Sequence, residues 1–167
     1  DRTSQRPLLH GVPTPPAGDE AVSKDFSAYL LRRCRGDEKN RGRPFLWPSA
    51  LEYIQACLPG PKASAVVTMP TGSGKSFIAE LAVVNALQNG WVLYIATNAL
   101  VHQIRHDLEQ ALQGLTGASF RSFVGADEYT LLEGEQISPS DKRFVAVMTP
   151  EKCALAMRLH PERFADC

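Results

Sequence analysis

Lys75 and Ser76 directly follow two closely spaced glycines in the run Met69-Pro70-Thr71-Gly72-Ser73-Gly74-Lys75-Ser76. Glycines let a backbone curl until several N–H groups converge on one anion, and a helix that starts there adds the positive end of its dipole. A lysine ammonium at the end of such a turn reaches the β- and γ-phosphates of a nucleoside triphosphate, and the next hydroxyl ligates Mg²⁺. Thr71, Gly72, Ser73, Gly74, Lys75 and Ser76 are therefore the candidate phosphate seat. Lys75 and Ser76 are the catalytic candidates, and Ser76 is the metal ligand. A plain Gly/Ser turn needs neither lysine nor serine at those places. Met69 stands where the strict pattern opens with glycine.

Such a seat needs a strand before it and a helix after it. Ala65 to Met69 is apolar enough to predict a buried strand, and Phe77, Ile78, Leu81, Val84 and Leu87 mark one face of a helix closed by Asn89-Gly90. Trp91 to Ala96 is a second strand without polar alternation, as in a parallel sheet covered on both faces. Leu100, Ile104, Leu108 and Leu112 recur every fourth residue and predict a helix over 99–113, broken by Gly114 and Gly117. Phe120 to Val124 is a short third strand, and residues 125–141 are acidic and irregular. Phe144 to Met148 is a fourth strand. Thr149 then caps a helix that opens at Pro150 and runs to about Leu159. Upstream, Phe26, Tyr29, Leu30 and Cys34 predict a helix from an N-cap at Ser23 to a stop at Gly36. Leu51, Ile54 and Leu58 predict another, from Pro48 or Ser49 to the break at Pro59-Gly60-Pro61. Alternating strands and helices imply an α/β fold with a parallel sheet.

Composition narrows the classes. At 167 residues with 44% apolar content the prior is one domain with a real core. The formal net charge is zero, so any nucleic-acid contact is local. One local excess exists: Arg32, Arg33, Arg35, Lys39, Arg41 and Arg43 face only Asp37 and Glu38, six cations against two anions, a local +4. A solvated face and a phosphate-binding patch both fit it. Cys34, Cys57, Cys153 and Cys167 have no metal-ligand spacing, which suits free thiols in a reducing, cytoplasmic setting. His102 and His106 lie one helical turn apart but lack a third ligand at suitable spacing. Asp127, Glu133 and Glu135 read as a solvated loop. Phe45 and Trp47 read as packing against the domain before base stacking. No run reaches membrane-spanning length, no signal-peptide pattern is present, and the chain opens at Asp1, which predicts a piece of something longer.

Further stretches agree with one family. The chain resembles the first RecA-like domain of a superfamily 2 helicase of the DEAD/DEAH-box (DExH) kind. MPTGSGKS is similar to motif I, which tolerates a non-glycine at its first place. Tyr94-Ile95-Ala96-Thr97-Asn98-Ala99-Leu100-Val101-His102-Gln103 resembles motif Ia, with Ala96 where proline is usual and Asn98 where arginine is frequent. Met148-Thr149-Pro150-Glu151-Lys152 resembles motif Ib. Val124-Gly125-Ala126 stands where the family often carries a glycine pair. Pro48-Ser49-Ala50-Leu51-Glu52 resembles the start of the adenine-reading Q motif, with Glu52 at the glutamine place. An ionised glutamate only accepts hydrogen bonds, whereas glutamine accepts and donates. Glu52 is thus a nucleotide-base candidate with an ordinary exposed helix residue as the alternative.

The resemblance implies a RecA-like P-loop NTPase fold, a parallel sheet flanked by helices and incomplete at its C-terminus. It implies ATP and Mg²⁺ as cofactors. Residues 1–22 are then a proline-rich arm or linker, 23–62 the N-terminal helices with the basic stretch and Q-motif-like segment, and 63–167 the ATP-binding domain. The resemblance also implies that Thr97, Asn98, Gly125 and Thr149 hold a single-stranded or duplex nucleic acid by its backbone, DNA before RNA. Strand ends that feed helix starts offer free N–H groups to phosphates, which is the physical basis of such a grip. Hydrolysis needs a carboxylate at a strand end, yet Trp91–Ala96 and Phe144–Met148 both end in threonine. The acidic motif II and a second RecA-like domain are expected beyond Cys167, so the chain alone is expected to be inactive. The implied activity of the full protein is ATP-dependent movement along, or unwinding of, nucleic acid. The alternative is a nucleotide-dependent switch or scaffold subunit of a nucleic-acid-processing complex. Other subunits of a repair or antiviral-defence complex are the expected partners, with no membrane.

Overall fold

A computed structural model describes residues 6–7, 20–36, 41–57, 65–87, 90–113, 115, 117–123 and 143–164. In chain order the elements are β1 (Arg6–Pro7), α1 (Glu20–Arg35), β2 (Phe45–Leu46), α2 (Pro48–Cys57), α3 (Lys75–Ala86), β3 (Val92–Ile95), α4 (Val101–Ala111), β4 (Ser119–Phe123), β5 (Phe144–Met148) and α5 (Pro150–Leu159). Short 3-10 turns at Asn98–Leu100 and Pro161–Phe164 lead into α4 and follow α5. Two compact units result, Asp1–Asn85 and Ala86–Cys167.

The second unit holds a three-stranded parallel sheet in the order β3-β5-β4. Central β5 is buried along its whole length, as a strand flanked by two neighbours and covered on both faces must be. Phe144, Ala146 and Met148 point one way into a cluster with Trp91 and with Cys153 of α5. Val145 and Val147 point the other way and are fully buried. Helix α4 packs on β4 and β5, sinking Val101, Leu108 and Leu112. Of the leucine series, Leu108 and Leu112 are buried, whereas Leu100 is exposed in the 3-10 turn and Val101 takes the buried place at the start of the helix. Strand β3 is only half-buried and Ile95 is exposed, unlike a strand covered on both faces. Among the described residues it pairs with β5 alone, and a strand at an edge keeps one side open.

The first unit is helical, with one short antiparallel ladder between β1 and β2. Arg6–Pro7 therefore contributes regular structure within the proline-rich arm. Pro7 lacks an N–H and is tolerated because a two-stranded ladder has only edges. Helix α1 starts at Glu20, before the N-cap expected at Ser23, because Glu20, Ala21 and Val22 already fit a helical turn. It ends at Gly36, whose φ of 74° is the left-handed stop that glycine adopts without strain. Helix α2 begins at Pro48 as expected, and the break expected at Pro59-Gly60-Pro61 lies outside the described residues.

One expected element is absent. Residues 65–70 belong to no strand, and Val66 is 95% exposed. A strand persists through hydrogen bonds to a neighbour, and among the described residues none pairs with this segment. The apolar run alone does not make it a strand.

Candidate functional site

The phosphate-loop candidates lie in the first unit. Thr71 to Gly74 form turns and bends, and α3 starts at Lys75. Gly72 and Gly74 have φ of 80° and 93°, conformations that cost a side-chain-bearing residue strain. A Cβ at Gly72 would meet nothing within 4 Å, so the loop is open on that side. The carbonyl of Gly74 accepts from Phe77 N at 3.0 Å and Ile78 N at 3.2 Å. These are the first bonds of the helix, so the amides of Lys75 and Ser76 have no carbonyl behind them within it. They are the donors a phosphate would take.

Lys75 folds back, its Nζ donating to Met69 O at 3.0 Å. The ammonium is thus held over the loop by a neutral carbonyl, a bond that an anion can outcompete. Ser76 is exposed in the first turn of α3. Ser73 Oγ donates to Pro70 O at 2.5 Å, bracing the turn instead of facing a ligand. Thr71 is exposed. A seat of free amides, left-handed glycines, one ammonium and one hydroxyl fits a magnesium-bound triphosphate.

Two residues support the loop in ways the sequence did not reveal. Ser49 Oγ, near the start of α2, donates to Ser73 O at 3.3 Å and ties the Q-motif-like helix to the loop. Trp47, 57% exposed, lies beside Gly74, 3.9 Å from where a Cβ would stand there. Its ring is therefore at the loop and not packed into the domain. Glu52 is exposed on α2, and no described bond joins it to the loop.

Behind the seat, Glu80 Oε2 accepts from Arg33 Nη1 at 2.7 Å and from Tyr29 Oη at 2.9 Å. The Arg33 guanidinium lies 4.3 Å over the Phe77 ring. Helix α1 thereby clamps α3 one turn beyond Ser76. Burial, then the Glu80 charge, pushes the Tyr29 hydroxyl well above its ordinary range. The sequence signal was Glu80 itself, a carboxylate within an otherwise apolar stretch of helix.

The second unit holds the strand-contact candidates. Ile95 pairs with Met148, and Ala96 N donates to Met148 O at 3.0 Å. Thr97 and Thr149 therefore follow neighbouring strands off the same carboxyl edge. Thr97 and Asn98 are exposed, and Thr97 makes no side-chain cap bond. Thr149 differs: it is 8% exposed, and its Oγ1 accepts from Lys152 N at 3.3 Å as the N-cap of α5. The sheet thus brings three of the four candidates to one edge but commits the Thr149 hydroxyl to its own helix. Gly125 lies outside the described residues, as do Asp127, Glu133 and Glu135. His102 and His106 are exposed on α4, and among the described residues no group of three potential metal ligands exists. No described helix is long and apolar enough to cross a membrane.

No curated protein matches the chain. Residues 47–165 match the family model of the DEAD/DEAH box helicase, a span that takes in the phosphate loop, the whole parallel sheet and the carboxyl edge. With most of its length accounted for in this way, the chain belongs to the DEAD/DEAH box helicase family.

Proposed function

We propose that this chain is the ATP-binding part of a nucleic-acid motor, coupling ATP hydrolysis to movement along or unwinding of a nucleic-acid strand. The observation that carries the reading is the loop at Thr71–Ser76. Two left-handed glycines precede an ammonium and a hydroxyl at the first turn of a helix. The amides of Lys75 and Ser76 and the Lys75 ammonium, now held by the Met69 carbonyl, would hold the triphosphate. Ser76 Oγ would hold Mg²⁺, which when bound would neutralise phosphate charge. Trp47, beside the loop, offers a ring for the base. Exposed Glu52 carries no described link to the loop, so adenine selectivity rests on little here.

Thr97 and Asn98 hold a strand's phosphates at the carboxyl edge, with Thr149 keeping the start of α5 in place. Contacts of this kind carry no base information, so binding is indifferent to sequence. Neither β3 nor β5 ends in a carboxylate. A carboxylate from another segment would position the attacking water. Lys75→Ala in the whole protein is expected to abolish strand-stimulated ATPase activity, and turnover at the unsubstituted rate would refute the reading.

A further inference from the structure

Residues 20–46 lie ahead of the family-matched span, and they carry an arginine cluster that neither the phosphate loop nor the sheet edge uses. Helix α1 ends at Arg35, and Gly36 then bridges antiparallel to Arg41. Arg43 N donates to Arg33 O at 2.9 Å. Gly42 fits between them only because it has no side chain. A Cβ there would collide with the Cys34 carbonyl and lie 2.6 Å from Arg35 O. The returning chain is thus pressed against the last turn of α1, and Arg35, Arg41 and Arg43 are gathered at one end of it.

These arginines differ from their neighbour. Arg33 is two-thirds or more covered and is taken by Glu80. Arg35, Arg41 and Arg43 are exposed, and among the described residues no carboxylate pairs with them. Complementing the helix dipole accounts for Arg35 but does not need cations on the returning chain. In a molecule of zero net charge, three exposed guanidinia with no carboxylate partner among the described residues form a local field. Their planar forks match phosphate oxygens.

We infer that Arg35, Arg41 and Arg43 form an accessory phosphate-binding patch for a nucleic-acid backbone, built from residues other than Thr97, Asn98 and Thr149. The partner class rests on the proposed function. The patch adds affinity without base preference and makes binding steeply salt-dependent.

The test is fluorescence anisotropy of a labelled dT oligonucleotide against the intact chain over a salt series. The Arg35→Ala/Arg41→Ala/Arg43→Ala variant should flatten the slope of log K against log salt by about 2, from three lost contacts at ~0.7 each, and weaken low-salt binding at least ~10-fold. The matching triple Arg→Lys variant keeps the charges and should retain most of the slope. A slope unchanged by the alanine variant overturns the patch. So does a lysine variant as impaired as the alanine one, or an intact chain that binds phosphatidylserine vesicles but not the oligonucleotide. Nucleotide binding, followed separately, reports on the proposed function. Its loss with the arginine effect intact would sink that reading and leave the patch standing.

Discussion

At the scale of single residues, each member of the loop answers one physical demand. Gly72 and Gly74 supply φ values of 80° and 93°. Alanine at either place costs about 1–2 kcal/mol of backbone strain. No collision adds to it, since Gly72 is open and Gly74 would meet only the Trp47 ring at an ordinary 3.9 Å. Both variants should therefore fold, with urea midpoints lowered by similar amounts, while losing most nucleotide affinity. Equal affinity to the unsubstituted chain would mean that the amides of this loop are not the donors. These residues were legible in the sequence because positive φ, a mobile cation and a metal-seeking hydroxyl each call for one residue type in one order. The tie from Ser49 and the place of the Trp47 ring were not, because both depend on where α2 meets the loop. No local spacing encodes that contact.

Among elements, the join of α1 to α3 is the strongest claim. Glu80→Ala leaves the Arg33 guanidinium and the Tyr29 hydroxyl without their acceptor, both largely buried. A loss of about 2–3 kcal/mol is expected in chemical unfolding; a change below about 0.5 kcal/mol would mean the clamp is idle. Tyr29 also sets a pH dependence. Its hydroxyl pKa is raised in the fold, so the unfolded chain ionises first as pH climbs. Stability should be full below about pH 10, the unfolded value, and fall above it. Tyr29→Phe should remove that part of the alkaline decline. Helix periodicity revealed both helices but not their pairing, because Arg33 and Glu80 are 47 residues apart. The opposite failure occurs at 65–70, where an apolar run suggested a strand. Strands depend on partners, and sequence pattern reports only the preference. At the sheet edge, Thr149→Val should cost about 1 kcal/mol through the lost cap. Strand-binding tests are therefore cleaner at Thr97 and Asn98. Thr97→Val with Asn98→Ala should weaken oligonucleotide binding with the unfolding midpoint unchanged.

For the whole molecule, the family-matched span begins at Trp47, whereas the helix that braces the phosphate-loop helix lies before it. Residues 47–165 alone should thus be less stable than the full chain, losing both bonds to Glu80 and the Arg33 stacking on Phe77. Comparable urea midpoints for the two would contradict that. The fold class was readable from alternating strand and helix patterns, and the central strand most clearly, since β5 is apolar on both faces because both are buried.

The most direct test of the phosphate seat is a titration of the ¹⁵N-labelled chain with Mg²⁺–ATP, followed amide by amide in NMR spectra. The largest shifts are expected at Gly72, Gly74, Lys75 and Ser76, and Lys75→Ala should abolish them. Saturable shifts confined to other residues, or unchanged in Lys75→Ala, would contradict an anion seat at the start of α3.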